Sequence, residues 1–207
     1  MSKIFYIYNG IGTCNYSSVL CNKWLQKFGK TQIIQNMNQI ESSPLGWLCI
    51  AGGKGSDVLR GQQYSNELYY LHNFIKNGGN YFGICCGAYL ATNKIYFEGT
   101  LKNNGFGFVD ATSVGPAFDF TNKPFSYNFL KESSILKINY NGTYLDAYYH
   151  GGGYFDNIQN CNVVSTYMDG KKCIITRPND KTGKIVLSFV HPEHEKSRLD
   201  DVFATIL

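Results

Sequence analysis

The chain has 207 residues, 43% hydrophobic and 16% charged, which suits one domain over 1–207 with a sizeable core and excludes a long disordered tail. Its net charge of +4 comes from scattered lysines with no basic stripe, so nucleic acid is not an indicated partner. No apolar run approaches the roughly 20 residues that span a bilayer, and "MSKIFYIYNG" is too short for a signal peptide, so no membrane contact is expected; the seven cysteines, odd in number, read as free thiols of a reducing cytoplasm.

In chain order, "KIFYIY" (3–8) reads as a buried strand running into the turn "NGIGT". "SSVLCNKWLQKF" (17–28) reads as a helix whose opening serines can cap it. "WLCIA" (47–51) is a second buried strand, closed by "GGKGSD". "SNELYYLHNFIKNGG" (65–79) places Leu68, Leu71, Phe74 and Ile75 on one helix face and stops at Gly78-Gly79. "YFGI" (81–84) is a third strand, running directly into "CCGA". From about 95 to 190 the segments turn strand-like, with "SILKINY", "TYLDAYY", "CNVVSTYM" and "KCIITRP" in succession. The last of these joins a fourth apolar strand, "IVLSFV" (185–190), through "NDKTG" as a hairpin. "SRLDDVFATIL" (197–207) closes the chain as an amphipathic helix with Ser197 as its cap. Strands alternating with helices, then a run of strands, predict an α/β layered domain with antiparallel structure added to a parallel core.

The seven cysteines are odd in number and lack zinc-site spacing, so free thiols and no metal are expected. Two of them stand in "GICCG", where Gly83-x-Cys85-x-Gly87 has the form of a nucleophile elbow. A residue on a sharp strand-to-helix turn needs small neighbours, and its side chain projects at the carboxyl edge of the sheet, where α/β ligand sites form. The next helix offers free N–H groups and its positive dipole end, a setting suited to a nucleophilic sulfur. Cys85 fits this place and Cys86 starts the helix; the alternative is two small buried cysteines at an ordinary turn.

A sulfur nucleophile needs a base, and the chain has four histidines. His72 falls near the apolar face of a helix and reads as structural. His150 precedes "GGGYF", a segment including Gly152 that can line a pocket. His191 is a better candidate than His194, because it ends a strand in "SFVHPEH" with Glu193 two residues on. In extended backbone, which Pro192 favours for the residue before it, positions i and i+2 point the same way. Glu193 can therefore fix the tautomer of His191 and stabilise its imidazolium. Gly52 and Gly53, directly after a strand, can turn N–H groups toward a developing oxyanion, with the Cys86 N–H as the other donor.

Cysteine elbow, "HPE" and Gly-Gly turn together resemble the class I glutamine amidotransferase-like superfamily. More narrowly, "YNGIGT", "AGG", "NGGNYFGICCGAYLA", "VGPAF", "YYHGGGYF" and "SFVHPEH" follow in the order found in the N-terminal domain family of biotin-protein ligases, which also occurs as stand-alone proteins. The resemblance covers almost the whole chain. It implies a flavodoxin-like three-layer sandwich, with Cys85 as nucleophile, His191 as base, Glu193 as its orienting acid, and Gly52 and Gly53 at the oxyanion turn. The chain has Ala51 where the family commonly has proline, and Cys86 where it commonly has alanine. A biotin ligase needs a further catalytic domain with an adenylate-binding loop, so biotinylation by this chain alone is not expected.

Two functional readings follow. One is a cofactor-free cysteine hydrolase or amidotransferase-like enzyme that opens a small-molecule amide or peptide through a thioester, with a partner protein or synthase subunit if ammonia is to be passed on. The other is a non-catalytic ligand-binding or regulatory module on the same scaffold. Redox sensing through Cys85–Cys86 is disfavoured, because adjacent cysteines close only a strained ring.

Overall fold

Four of the apolar runs do become strands, because each has bulky side chains on both faces and helices to cover both. The protein is described by a computed structural model covering residues 2–41, 43–58, 66–102, 105–117, 133–178 and 182–207. The first half runs β1 (Ile4–Tyr8), α1 (Asn15–Leu25), β2 (Lys30–Ile34), β3 (Gly46–Ile50), α2 (Glu67–Lys76), β4 (Asn80–Ile84) and α3 (Cys86–Ala91). The second half supplies β5 (Thr92–Phe97), β6 (Thr100–Lys102), β7 (Val109–Gly115), β8 (Ser134–Tyr140), β9 (Thr143–Tyr149), β10 (Tyr154–Asp156), β11 (Asn162–Tyr167), β12 (Lys172–Arg177), β13 (Ile185–Ser188) and α4 (Asp200–Ile206).

All these strands belong to one 13-stranded sheet whose main path is β2-β1-β3-β4-β13-β12-β10-β7-β5-β6, with β11, β8 and β9 branching from β12. The five strands from β2 to β13 are mutually parallel, as expected for buried strands joined by helical crossovers. Their carboxyl ends are level: Tyr8 pairs with Ile50, Ile50 with Gly83, and Ile84 with Ser188. The turns after β1, β3, β4 and β13 therefore meet at one edge. Beyond β13 the pairing becomes antiparallel, apart from the parallel pair β5–β7. The predicted hairpin is present as β12 against β13, although most of its turn lies outside the described residues.

Strand alternation divides the core in two. Tyr6, Tyr8, Leu48, Ile50 and Tyr81 face Leu71, Phe74 and Ile75 of α2, together with α3. Phe5, Ile7, Trp47, Cys49 and Phe82 face Trp24 and Leu25 of α1 and Val202 and Phe203 of α4. The result is a flavodoxin-like three-layer sandwich with added antiparallel strands. Trp24 packs edge-on against Phe203 at 5.3 Å and donates its Nε1–H to Asp200 at 2.7 Å, docking α4 onto α1. Burying a side chain the size of Phe203 contributes roughly 1.5–3 kcal/mol.

Helix ends follow the sequence in one case and depart from it in two. Gly78, at φ +89°, ends α2 in a Schellman motif, with Gly79 N–H on Phe74 C=O at 2.9 Å and Gly78 N–H on Ile75 C=O at 3.1 Å. The serines do not cap α1: the helix starts at Asn15 after Cys14, and Ser17 and Ser18 lie inside it, buried. Nor does Ser197 cap the last helix, which begins at Asp200; its hydroxyl bonds the His191 carbonyl instead. His72 is exposed and touches the Phe108 ring edge-on, away from the meeting turns. All seven cysteines are free. No helix among the described residues is long and apolar enough to cross a membrane.

Candidate active site

Cys85 forms the turn between β4 and α3 with φ 49° and ψ −101°. A non-glycine residue held there carries strain on the order of 1–3 kcal/mol and persists only where its surroundings fix it. The two flanking glycines do so. A Cβ on Gly83 would stand 2.5 Å from the Gly87 carbonyl oxygen, and one on Gly87 would overlap the Ile50 carbonyl of β3. The Cys85 N–H bonds the Ser188 carbonyl at 2.8 Å, which ties the elbow to the end of β13. Cys85 and Cys86 both line a cleft; Cys85 is half-buried, whereas Cys86 is buried. Burial, and then the neighbouring Cys85, push the Cys86 thiol well above its ordinary pKa.

His191 lies three residues past β13 with its peptide clamped on both sides. Its N–H donates to Tyr148 C=O at 2.8 Å, and its C=O accepts from Ser197 Oγ at 2.6 Å. Its Nδ1 lies 2.8 Å from Glu193 Oε1, so the two side chains meet across Pro192 as the i, i+2 spacing predicts. Both residues are buried. Burial alone would lower the histidine pKa, but the Glu193 carboxylate and the adjacent Cys85 outweigh it and hold the imidazole well above its usual 6.5. In the imidazolium that this favours, Nδ1–H faces the carboxylate and Nε2–H is the ring proton nearer the thiol. Nε2 has no closed hydrogen bond among the described residues, because the Cys85 thiol points toward the His150 carbonyl at 3.7 Å. Ring and sulfur are neighbours in a loose arrangement of the kind that tightens on a reactant.

The glycine turn departs from expectation. The Gly52 N–H does not face the nucleophile; it donates to Ser17 Oγ at 3.1 Å, because α1 packs its first turn directly over Gly52. The adjacent Gly53 is exposed, and its N–H has no hydrogen-bond partner among the described residues. Gly53 and Cys86, both lining the cleft, remain the candidate oxyanion donors. Gly152 is also displaced from its expected role. It is buried with its backbone against Phe189, its carbonyl accepts from the Tyr149 hydroxyl at 2.6 Å, and Gly151 lines the cleft in its place. His150 does line the cleft, and its carbonyl is the group nearest the Cys85 thiol.

Two contributors escaped the sequence. Ser17 donates to Glu193 Oε1 at 3.0 Å, so that one oxygen serves both Ser17 and His191. Tyr148 stacks flat on His194 at 3.6 Å and meets His191 edge-on at 5.9 Å, forming a wall beside the imidazole. Burial lowers the His194 pKa, so this ring stays neutral near neutral pH. The cleft holds about 770 Å³ and passes from the polar β1 turn and His194 over the thiol to Tyr89, Leu90, Ile95 and Phe97. That size suits a small ligand or a short piece of a larger one.

A cysteine elbow after one parallel strand, a His-Glu pair after its neighbour and this sheet order define a protein of class I glutamine amidotransferase-like fold. Solved structures agree. A glutamine amidotransferase superposes with a TM-score of 0.69 at 13% identity, covering 94% of this chain and 97% of that one. PurLQS from Thermotoga maritima gives 0.66 at 13% identity, covering 100% and 98%. Within that class the chain belongs to the family described as "Biotin-protein ligase, N terminal", which matches residues 4–205. Two relatives are an uncharacterized protein of Chlamydia muridarum, 30% identical over 142 residues, and the biotin–protein ligase of Schizosaccharomyces pombe, 28% identical over 145. The matches cover 60% and 62% of this chain but only 51% and 23% of those two proteins.

Proposed function

We propose that the protein is a cysteine-dependent amide hydrolase or amidotransferase-like enzyme with Cys85 as nucleophile, His191 as general base and Glu193 as the acid that orients the imidazole. The reading rests on one observation above all: a cysteine held at φ 49° on a glycine-flanked elbow, beside a buried histidine that is 2.8 Å from a carboxylate. In the neutral form of the imidazole, the Cys85 proton passes to His191 Nε2 as sulfur attacks the amide carbon. The oxyanion is received by the Gly53 and Cys86 amides. Collapse breaks the C–N bond, and the imidazolium returns its proton to the leaving amine. A water deprotonated by His191 then cleaves the thioester, releasing the acid and the free thiol. The amine leaves to solvent or to a partner subunit.

A second reading, a binding module on the same scaffold, draws support from the Gly52 amide, which is engaged by Ser17 rather than offered to a reactant. Exposure to a panel of small amides and short peptides, followed by intact-mass measurement, separates the two. An acyl adduct on Cys85 that accumulates in the wild type and is absent in Cys85→Ala supports the enzyme. Saturable ligand binding with no adduct and no released amine favours the module.

A further inference from the structure

Around the His191–Glu193 pair, the carboxylate is anchored by a residue from the far end of the sequence. Ser17 sits in the first turn of α1 and is 6% exposed, with its hydroxyl between two partners. It accepts the Gly52 N–H at 3.1 Å and donates to Glu193 Oε1 at 3.0 Å. The same residue is held at its other end, because Gly52 C=O accepts the Cys14 N–H at 2.8 Å. Two residues further on, Lys54 N–H bonds the Gly12 carbonyl at 2.7 Å. The segment from Gly12 to the first turn of α1 therefore grips the glycine turn at three points, and Ser17 carries that grip through to the carboxylate.

The arrangement has a chemical consequence for Glu193. Its Oε2 is buried with no partner among the described residues, so Ser17 and His191 on Oε1 are the only groups seen to fix the carboxylate. With His191 as the sole partner, a carboxylate could turn either oxygen toward the ring. A second donor on Oε1 removes that freedom and aligns Oε1 with Nδ1. A Cβ built on Gly52 would stand 3.1 Å from Ser17 Oγ and 3.4 Å from His191 Cε1, so turn, hydroxyl and imidazole are packed as one unit.

We propose that Ser17 is a positioning residue of this site, holding the Glu193 carboxylate against His191 and coupling that pair to the Gly52-Gly53 turn. The proposal rests on the enzyme reading for its catalytic meaning, but its central readout needs no turnover. Without the hydroxyl, the carboxylate loses its anchor and pulls less on the imidazolium. Ser17→Ala should then move the titration midpoint of His191 downward, toward that of Glu193→Gln, while Ser17→Thr, which keeps the hydroxyl, should restore it. As the imidazolium is held less firmly, brief alkylation of Cys85 should slow in Ser17→Ala and recover in Ser17→Thr.

The test is NMR titration of histidine-labelled full-length wild type, Ser17→Ala, Ser17→Thr, Glu193→Gln and His191→Asn, the last assigning the His191 signal. Alkylation of Cys85 is followed in the same samples, with thermal melts reporting the fold. A downward His191 shift in Ser17→Ala, reversed in Ser17→Thr, supports the positioning role. An unchanged or raised midpoint in folded Ser17→Ala, with Glu193→Gln shifted, overturns it and leaves the enzyme reading intact. If alkylation of Cys85 is indifferent to His191→Asn, the enzyme reading falls instead, and the Ser17 result still stands on the titration.

Discussion

Replacing Gly87 by alanine tests whether close backbone contact is what holds the elbow. A Cβ at this position would overlap the Ile50 carbonyl oxygen and lie 2.9 Å from Ile50 C and 3.0 Å from Ile50 Cβ. The obstacle is backbone of β3, paired with β1 on one side and β4 on the other, so it cannot yield. The helix must retreat, and α3 is only six residues long, with Cys85 as its N-cap. Overpacking against such a neighbour costs about 3 kcal/mol, at the upper end of the usual range. Alanine regains about 1 kcal/mol through its helix preference over glycine. The net, about 2 kcal/mol, should lower the Tm of a chain this size by roughly 4–8 °C. Gly55 supplies the control, because a Cβ there meets nothing nearer than Leu90 Cδ2 at 3.5 Å. Gly55→Ala should stay within about 0.5 kcal/mol of the wild type. Thermal unfolding followed by circular dichroism gives both values, and alkylation of Cys85 should slow in Gly87→Ala as the elbow relaxes. Equal melting of the two variants and the wild type would refute the idea that close packing of α3 on β3 sets the Cys85 turn.

Three further outcomes are expected. Cys85 should label first with iodoacetamide near neutral pH, because burial pushes the Cys21, Cys86 and Cys161 thiols up and the Cys173 thiol to about 12; mass mapping that finds Cys14 or Cys161 ahead of it would count against the elbow site. His191→Asn should abolish turnover almost as fully as Cys85→Ala, whereas Glu193→Gln should keep a measurable single-turnover rate; equal, complete loss in both would mean that Glu193 does more than orient the ring. The raised pKa of His191 also sets a pH dependence, since between its ordinary 6.5 and its folded value the native state holds a proton that the unfolded state has lost. Its contribution to stability is thus complete below 6.5 and disappears as pH rises through the folded pKa, so the gap in unfolding free energy between wild type and His191→Asn should narrow on the alkaline side; a gap that widens there would contradict the pairing.

The legible parts of the fold are those in which a short segment carries its own constraint. β1, β3, β4 and β13 were readable because nearly every side chain in them is buried, so both faces are apolar. β2 was not, because it is an edge strand: "KTQII" buries only its last residue, and its polar remainder looks like loop. The parallel pairing of β5 with β7 was equally hidden, since it depends on which edge remains free after the rest of the sheet is built. The elbow and the His-x-Glu pair were legible for the same reason as the buried strands. Glycines two positions either side of Cys85, and a carboxylate two residues past His191 in extended backbone, are local patterns with local causes.

What could not be read is how those local pieces are oriented by elements distant in sequence. Gly52 lines the cleft, but the direction of its N–H is set by a hydroxyl 35 residues earlier. Glu193 meets His191 across Pro192, yet its second donor is 176 residues away. Within the sequence, Ser17 is a serine at the start of a helix, for which capping is the ordinary reading. The topology supplies what the sequence lacks. In a doubly wound sheet the first turn of the helix after β1 lies at the carboxyl edge shared by β1, β3, β4 and β13, so a polar side chain there that faces the sheet must meet the turns that follow those strands. A buried hydroxyl in that place cannot remain without partners, and the groups within its reach are the amide of one turn and the carboxylate of another. The link between Gly52, Ser17 and Glu193 follows from strand order and burial as directly as the elbow follows from its glycines.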